Sequence, residues 1–168
     1  FKVLFLTPNA TARLRATEMA MQQLKAIGIT GEIQSMDIAS FYDKLSKNKK
    51  ETVGETPFIA FGGWSSSTGD ADWATRPLLS TEAFPPNMSN YGFFEDATVD
   101  RLIKAGLTSA DPKVRAKAYA ELQDYVWSKA PWGYLFVDTL IAAKSKNLKG
   151  IYPMADGAFT VEEAELVR

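Results

Sequence analysis

Side chains able to bind a polar small molecule are concentrated in ten residues of the chain, 64–73, which we call the ligand loop. The loop carries four consecutive hydroxyls, two carboxylates and two tryptophans, namely Trp64, Ser65, Ser66, Ser67, Thr68, Asp70, Asp72 and Trp73. Hydroxyls and backbone N–H groups suit carboxylates, and tryptophan is costly to leave exposed in a merely solvated turn. The alternative is a surface turn whose Ser and Asp side chains satisfy their own backbone, or cap a helix beginning near Trp73.

The residues just before the ligand loop predict the element that positions it. Pro57–Phe61 is continuously apolar, which is typical of a strand buried on both faces. Gly62 and Gly63 then end the strand and allow the backbone to turn. A rigid strand that ends in a polar loop is a common position for a small-molecule site.

The first half of the chain predicts a parallel sheet with helical crossovers. Apolar spacing indicates a strand over 1–6, a helix over 11–27, a strand over 29–36 and a helix over 37–47, all preceding the 57–61 strand. Ligands of such sheets bind beyond the carboxyl ends of the strands, where the ligand loop lies. Arg13 and Arg15 lie near the start of the first helix, where a guanidinium and free N–H groups can hold a carboxylate. Exposed surface arginine is the alternative.

The second half predicts mainly helices. The pattern favours a short helix over 73–79, an irregular crossing over 84–92, and helices over 94–107 and 111–129, the last capped by Asp111 with Pro112 in its first turn. Pro131 ends that helix, and the apolar run Trp132–Ala143 predicts a further buried strand. Residues 147–153 are expected to be extended, and 154–168 show little pattern.

Composition excludes several classes of function. The 168 residues carry a net charge of −1, and they include neither cysteine nor histidine. Thiolate chemistry, histidine-dependent nucleophiles and the usual zinc sites are therefore absent, and no cofactor or metal is expected. The balanced charge gives no sign of a nucleic-acid partner. No apolar run reaches the length of a membrane span, and a chain that opens within an apparent strand suggests a piece of a longer protein.

The order of short motifs over nearly the whole chain resembles one family. They are Arg13-Leu14-Arg15, Leu24-Lys25-Ala26-Ile27-Gly28-Ile29, Gly63-Trp64, Gly69-Asp70-Ala71-Asp72, Asn90-Tyr91-Gly92, Asp100-Arg101-Leu102-Ile103, Asp111-Pro112, Ala130-Pro131-Trp132 and Asn147-Leu148-Lys149-Gly150. In this order they resemble the second lobe, through to the carboxyl end, of the family 5 extracytoplasmic solute-binding proteins of ABC importers, the dipeptide and oligopeptide class.

The ligand loop resembles that of the glutathione-binding members of this family. Members that bind free peptides usually carry an aspartate three residues after the loop tryptophan, where it pairs with the ligand ammonium group. Ser67 occupies that position here, so ordinary peptides would lose a charge-assisted contact of about 1.5–3 kcal/mol. Glutathione presents its amine beside its own carboxylate, so the resemblance implies glutathione or a similar γ-linked peptide as the ligand.

The resemblance to this family also implies a fold, a domain organisation, partners and a location. The fold would be α/β, a periplasmic-binding-protein-like lobe with a mixed sheet flanked by helices, in which 1–150 form lobe II and 151–168 return to an absent lobe I. Asn90 and Tyr91 would lie near the cleft. The partners would be a small peptide and the membrane permease of an ABC importer, and the location periplasmic, or extracytoplasmic through a lipid anchor. High-affinity sites in such receptors are formed by both lobes, so this lobe alone would bind weakly.

An enzyme is the alternative class of function. Asp70 and Asp72 could act as an acid–base pair, as in glycoside hydrolysis. Neighbours on one loop seldom provide the separation across a sugar ring that this chemistry needs, so we expect a binding protein and no catalytic residue.

Overall fold

Strands and helices alternate from the amino terminus, and helices dominate the middle of the chain. The computed structural model describes residues 1–52, 57–139, 141–154 and 156–167. The strands are β1 (Lys2–Pro8), β2 (Thr30–Met36), β3 (Phe58–Ala60), β4 (Leu148–Lys149), β5 (Tyr152–Pro153), β6 (Phe159–Thr160) and β7 (Glu165–Leu166). The α-helices are α1 (Thr11–Lys25), α2 (Ile38–Ser46), α3 (Ala71–Leu79), α4 (Ala97–Thr108) and α5 (Pro112–Lys129), with short 3₁₀ turns at Lys50–Thr52 and Thr81–Ala83.

The first three strands form the predicted parallel sheet, in the order β2-β1-β3. Leu4 lies opposite Glu32 on one side and Phe58 on the other. The prediction that the third strand is buried on both faces was wrong: Phe58 and Ile59 are only half-buried and Ala60 is exposed. Among the described residues β3 is an edge strand with one neighbour, so less of its surface is covered.

Helix α2 covers one face of the sheet. Phe41 and Leu45 are buried against Leu6 of the central strand, and the Asp37 carboxylate caps the helix by accepting from the Ser40 N–H at 3.0 Å. Helix α1 ends at Lys25, two residues before the predicted end, and Ile27 is 72% exposed. These helices, with the sheet, confirm the α/β class.

A second core holds α3, α4 and α5 together. Its buried side chains are Leu78, Leu79, Val99, Leu102, Ile103, Tyr119, Leu122 and Val126. Helix α5 begins as predicted, with Pro112 in its first turn and the Asp111 carboxylate accepting from the Lys113 N–H at 2.8 Å. Helix α4 begins three residues later than predicted, because Asp96 caps it by accepting from the N–H groups of Thr98 and Val99.

The predicted strand Trp132–Ala143 was wrong. Residues 132–139 and 141–143 contain no strand, and 133–139 and 141–143 are exposed, while Leu140 lies outside the described residues. Ala130 ends α5 in the left-handed conformation, with φ of 47°. A strand of this composition needs neighbouring strands and a covering layer, and the described residues supply neither.

The carboxyl-terminal segment is more ordered than its sequence pattern predicted. Residues 147–153 contain the two short strands β4 and β5, and the tail pairs with both: β4 with β7 and β5 with β6, antiparallel. Ala155 and Arg168, which belong to the predicted tail, lie outside the described residues. In the described part of the chain, no helix combines the length and the apolar character that crossing a membrane requires.

Candidate functional site

The ligand loop begins where the central and edge strands of the sheet end together. The N–H of Phe61 donates to the Leu6 carbonyl at 2.8 Å, which carries the pairing of β1 and β3 one residue past the end of β3. Helix α1 starts three residues after β1. The carboxyl ends of the parallel strands therefore bring the start of α1 and the residues after β3 to one edge, as predicted.

Arg13 lies directly against the glycine that opens the ligand loop. A β-carbon at Gly63 would lie 2.8 Å from Nη2 of Arg13 and 3.4 Å from its Cζ. Only a residue without a side chain leaves the guanidinium in this position. Arg13 and Gly63 belong to separate elements of the sequence, 50 positions apart, and the fold brings them into contact.

The Arg13 guanidinium keeps one N–H donor that no described residue accepts from. Nη1 of Arg13 is buried and has no hydrogen-bond partner within the described residues. Helix α1 has no side-chain cap, because Ala10 occupies the capping position, and it has no acidic residue in its first turn. Its first N–H groups and the positive end of its dipole therefore face the same edge as the guanidinium. A buried donor without a partner is costly, so this position favours a ligand carboxylate. Arg15 is exposed and joins none of the ion pairs of the described residues.

Two tyrosines form an aromatic wall beside Gly63. The Tyr42 hydroxyl donates to the Gly63 carbonyl at 3.1 Å, and the Tyr42 ring lies 6.4 Å from that of Tyr91. The role of Tyr91 in ligand binding stays a prediction, and Tyr42 was not predicted from the sequence as a site residue. The sequence does not mark Tyr42 as a site residue, because a second aromatic next to Phe41 on an amphipathic helix is equally typical of the core.

The two tryptophans of the ligand loop pack on each other. The Trp64 indole N–H donates to the Trp73 carbonyl at 2.8 Å, and the ring centroids lie 6.0 Å apart at 42°. Trp64 nevertheless remains 38% exposed. The hydrogen bond fixes its ring while leaving part of the ring surface free to stack on a ligand.

The four hydroxyls divide into two structural and two free ones. Ser66 donates to the Asp70 carbonyl at 2.8 Å, and Thr68 accepts from the Asp70 N–H at 3.2 Å. Gly69 closes this turn with φ of 69°, a conformation that favours glycine. Ser65 and Ser67 are exposed and make no hydrogen bond within the described part of the chain. They are the hydroxyls available to a ligand.

Both loop carboxylates are already engaged by arginines. Asp70 caps α3 by accepting from the Asp72 N–H at 2.8 Å, and both its carboxylate oxygens accept from Arg115 at 2.6 Å. The Asp72 N–H, ahead of the Arg115 guanidinium, holds the pKa of Asp70 below its usual value, although partial desolvation opposes this. Asp72 is buried, and its oxygens accept from Nε of Arg76 at 3.0 Å and from Nη2 at 2.9 Å.

Neither arginine partner of the loop carboxylates was predicted from the sequence. Asp72 and Arg76 are spaced i, i+4 on one helix, which is a readable signal for an ion pair. Arg115 lies 45 residues from Asp70, and no local pattern links the two.

Asn90 is fully buried, and its side chain holds the crossing after α3 in place. Its amide nitrogen donates to the carbonyls of Ser80 at 2.9 Å and Phe94 at 2.8 Å, and its oxygen accepts from the Phe94 N–H at 3.0 Å. The structure assigns Asn90 a role in fixing the loop that carries Tyr91. Direct contact of Asn90 with a ligand stays a prediction.

Among the described residues, no three side chains of the types that ligate metals come together. The available groups are one guanidinium, the first N–H groups of a helix, two hydroxyls and aromatic surface. These groups are suited to binding anions and to stacking on planar or apolar groups.

Known proteins include relatives of this chain over nearly its whole length. No family model matches the sequence. The glutathione-binding protein GsiB of Salmonella typhimurium is 34% identical over 163 residues, which is 97% of this chain and 31% of GsiB. The chain thus spans about a third of the length of the curated relatives it matches.

Solved structures show the same fold. The clavulanic acid biosynthesis oligopeptide binding protein 2 matches all of this chain and 31% of its own, with a TM-score of 0.83 and 21% identity. A dipeptide binding protein from Pseudoalteromonas sp. SM9913, solved with Met-Leu, matches 99% of this chain and 32% of its own, with a TM-score of 0.73 and 19% identity. The chain is therefore homologous to about a third of the length of GsiB, and it shares the fold of the matched parts of these two solved peptide-binding proteins.

Proposed function

We propose that this chain is one lobe of a two-lobe receptor that binds glutathione or a similar small peptide for uptake by an ABC importer. The observation that carries the proposal is Nη1 of Arg13, which is buried and has no hydrogen-bond partner among the described residues, while the guanidinium lies against Gly63, the residue before Trp64. The similarity to glutathione-binding proteins supports the choice of ligand.

The geometry suggests how the ligand is held. A ligand carboxylate accepts from Arg13 and from the first N–H groups of α1, which combine a full charge with a helix dipole. The exposed face of Trp64 stacks on the peptide backbone of the ligand. Ser65 and Ser67 hydrogen-bond the zwitterionic γ-glutamyl head, whose own carboxylate partly neutralises its ammonium group.

The other predicted residues of the ligand loop contact the rest of the chain and stabilise the loop. Asp70 accepts hydrogen bonds from Arg115, Asp72 accepts from Arg76, and the Trp73 carbonyl accepts from the Trp64 indole, so these three residues act by holding the ligand loop in shape. A hydrolase using Asp70 and Asp72 finds no support, because each carboxylate is occupied by a guanidinium. A carboxyl whose pKa is lowered, as in Asp70, is also a poor general acid at neutral pH.

The organisation of the whole receptor is part of the same proposal. Residues 1–150 form lobe II, residues 151–168 return toward lobe I, and the two lobes close on the ligand as a clamshell. The receptor works outside the cytoplasmic membrane, in the periplasm or on a lipid anchor, and delivers its ligand to the permease. The isolated lobe supplies only half of the contacts and binds weakly.

Calorimetry with reduced glutathione, and a simple dipeptide as control, tests the proposal on this chain and on the longer protein. We expect glutathione to bind the longer protein in preference to the dipeptide. Arg13→Gln should weaken binding roughly 10- to 150-fold, the equivalent of one charge-assisted contact. Arg15→Gln is the matched control on the same helix and should change little. Equal effects of the two variants, or a preference for the dipeptide, would contradict the proposal.

A further inference from the structure

The aromatic wall of Tyr42 and Tyr91 presents ring surface beside the ligand loop. Both side chains are only half-buried, although both pack against the buried apolar cluster between α2 and the sheet. The contacts proposed for glutathione use neither ring. Half-buried aromatic surface next to a binding loop is a typical position for the apolar part of a ligand.

Both rings of the wall are held in place by the chain itself. The Tyr42 hydroxyl donates to the Gly63 carbonyl at 3.1 Å, and the Phe41 ring meets the Tyr42 ring edge-on, with centroids 5.1 Å apart and planes at 75°. Tyr91 follows Asn90, which is fully buried and fixed by hydrogen bonds to three backbone groups. Side chains that are already ordered cost a ligand little entropy when it packs against them.

The wall carries no charge of its own. Four cationic side chains lie over aromatic rings in the described part of the chain, and none of these rings is Tyr42 or Tyr91. The cluster beneath the wall consists of Leu6, Phe41 and Leu45. Such a surface favours apolar groups and also sulfur, which makes favourable contacts with aromatic rings at about 5 Å. It offers no counter-charge to an ionised group.

The wall lies within one ligand residue of the proposed carboxylate position. Nη2 of Arg13 is 2.8 Å from where a β-carbon of Gly63 would stand, and the Tyr42 hydroxyl is 3.1 Å from the Gly63 carbonyl oxygen. The covalent dimensions of one residue therefore keep the guanidinium and the hydroxyl less than about 10 Å apart. With the γ-glutamyl head of glutathione on Ser65 and Ser67, the carboxylate at Arg13 is that of the terminal glycine. The neighbouring side chain, which reaches the wall, is that of cysteine.

We propose that the aromatic wall receives the cysteine sulfur of glutathione together with an apolar group attached to it, so that the receptor prefers S-substituted glutathiones to glutathione itself. The inference rests on the proposed function and deepens it by naming the substrate class, the thioethers of glutathione that carry an alkyl or aryl group. A free thiol leaves most of the two rings exposed to water, whereas a benzyl group covers them.

Calorimetry on the longer protein, with three ligands, tests the preference. We expect S-benzylglutathione to bind about 3- to 10-fold more tightly than reduced glutathione, the equivalent of one aromatic contact. S-carboxymethylglutathione, whose substituent is charged, should bind no more tightly than reduced glutathione. Equal or weaker binding of the benzyl thioether, or an equal gain for the carboxymethyl thioether, would overturn this inference alone. Failure of all three ligands to bind would overturn the proposed function, and this inference with it.

Variants of the wall test which residues cause the preference. In Tyr91→Ala the ratio of the benzyl to the reduced affinity should fall to about one. Tyr42→Leu should lower the ratio in the same direction, and it serves as the second variant where Tyr91→Ala does not fold. Tyr42→Phe keeps the ring and should keep the ratio.

Arg13→Gln is the control for the wall variants, because it should weaken both ligands by the same factor and leave the ratio unchanged. A ratio that persists in both Tyr91→Ala and Tyr42→Leu would overturn the inference. Equal losses of the two ligands in these variants would also overturn it, because they would assign the tyrosines to the shape of the site as a whole.

Discussion

Arg115 of α5 holds Asp70 of the ligand loop, with one guanidinium nitrogen 2.6 Å from each carboxylate oxygen. Its other terminal nitrogen donates to the Gly106 carbonyl at 2.6 Å, and the guanidinium lies 5.4 Å from the centre of the Tyr119 ring. Asp70 in turn caps α3. One side chain therefore connects the ligand loop, the end of α4 and the start of α5.

Replacing Arg115 should affect ligand binding more than folding. In Arg115→Ala the loop loses its tie to α5, so we expect weaker glutathione binding, by about 3- to 10-fold. The free energy of unfolding should fall by roughly 1 kcal/mol, because the Asp70 side chain is 47% exposed and solvent screens the pair. Calorimetry and urea unfolding measure the two effects. Lys117→Ala, which removes an exposed pair with Glu121, is the control; equal losses of affinity in both variants would contradict the positioning role.

A methyl group at Gly63 should act on Arg13 alone. The added β-carbon would meet the mobile end of Arg13 at 2.8 Å, so the guanidinium moves at little cost to folding but loses its binding position. We expect Gly63→Ala to weaken glutathione binding at least 10-fold with an unchanged thermal midpoint. Gly62→Ala is the control, because its β-carbon would lie 3.8 Å from the Phe41 ring, an ordinary contact. Wild-type affinity in Gly63→Ala would show that Arg13 does not contact the ligand.

Removing the charge of Asp72 should destabilise the chain. The side chains of Asp72 and Arg76 are only 12% and 19% exposed, so Asp72→Asn leaves a mostly buried guanidinium without its counter-charge. We expect a loss of roughly 2–4 kcal/mol in the free energy of unfolding, measured with urea. Asp43→Asn breaks the exposed pair with Lys47 and should cost under about 0.5 kcal/mol. Similar values for the two variants would show that burial does not strengthen the pair.

The carboxylate of Asp70 should make stability depend on pH in the acid range. Its pKa is lower in the folded chain than in the unfolded one, so its contribution is present above the unfolded pKa, about 4, and is lost as the pH falls through the folded pKa. We expect the thermal midpoint of Asp70→Asn to lie below that of the wild type at pH 7, and the difference to shrink as the pH falls below the unfolded pKa. Arg115→Gln should reduce this pH dependence without abolishing it, since the Asp72 N–H is the larger cause of the shift. A constant difference between wild type and Asp70→Asn across the pH range would be the contrary result.

Local sequence determined the elements and several of their ends. Apolar periodicity predicted the alternating strands and helices around the sheet, and Asp111 with Pro112 predicted the start of α5, because these signals depend on residues within one or two turns of each other. The position of the ligand loop also followed from sequence, since the carboxyl ends of parallel strands share one edge.

The tertiary structure decided which side chains of the site meet. Contact of Arg13 with Gly63, and of Arg115 with Asp70, joins residues 50 and 45 positions apart, and no periodic pattern encodes such distances. The same reason explains the failed strand at Trp132–Ala143: its composition is typical of a buried strand, but whether a strand forms depends on partners for its backbone and cover for its faces. Sequence can specify what a segment requires, whereas only the assembled structure decides whether that requirement is met.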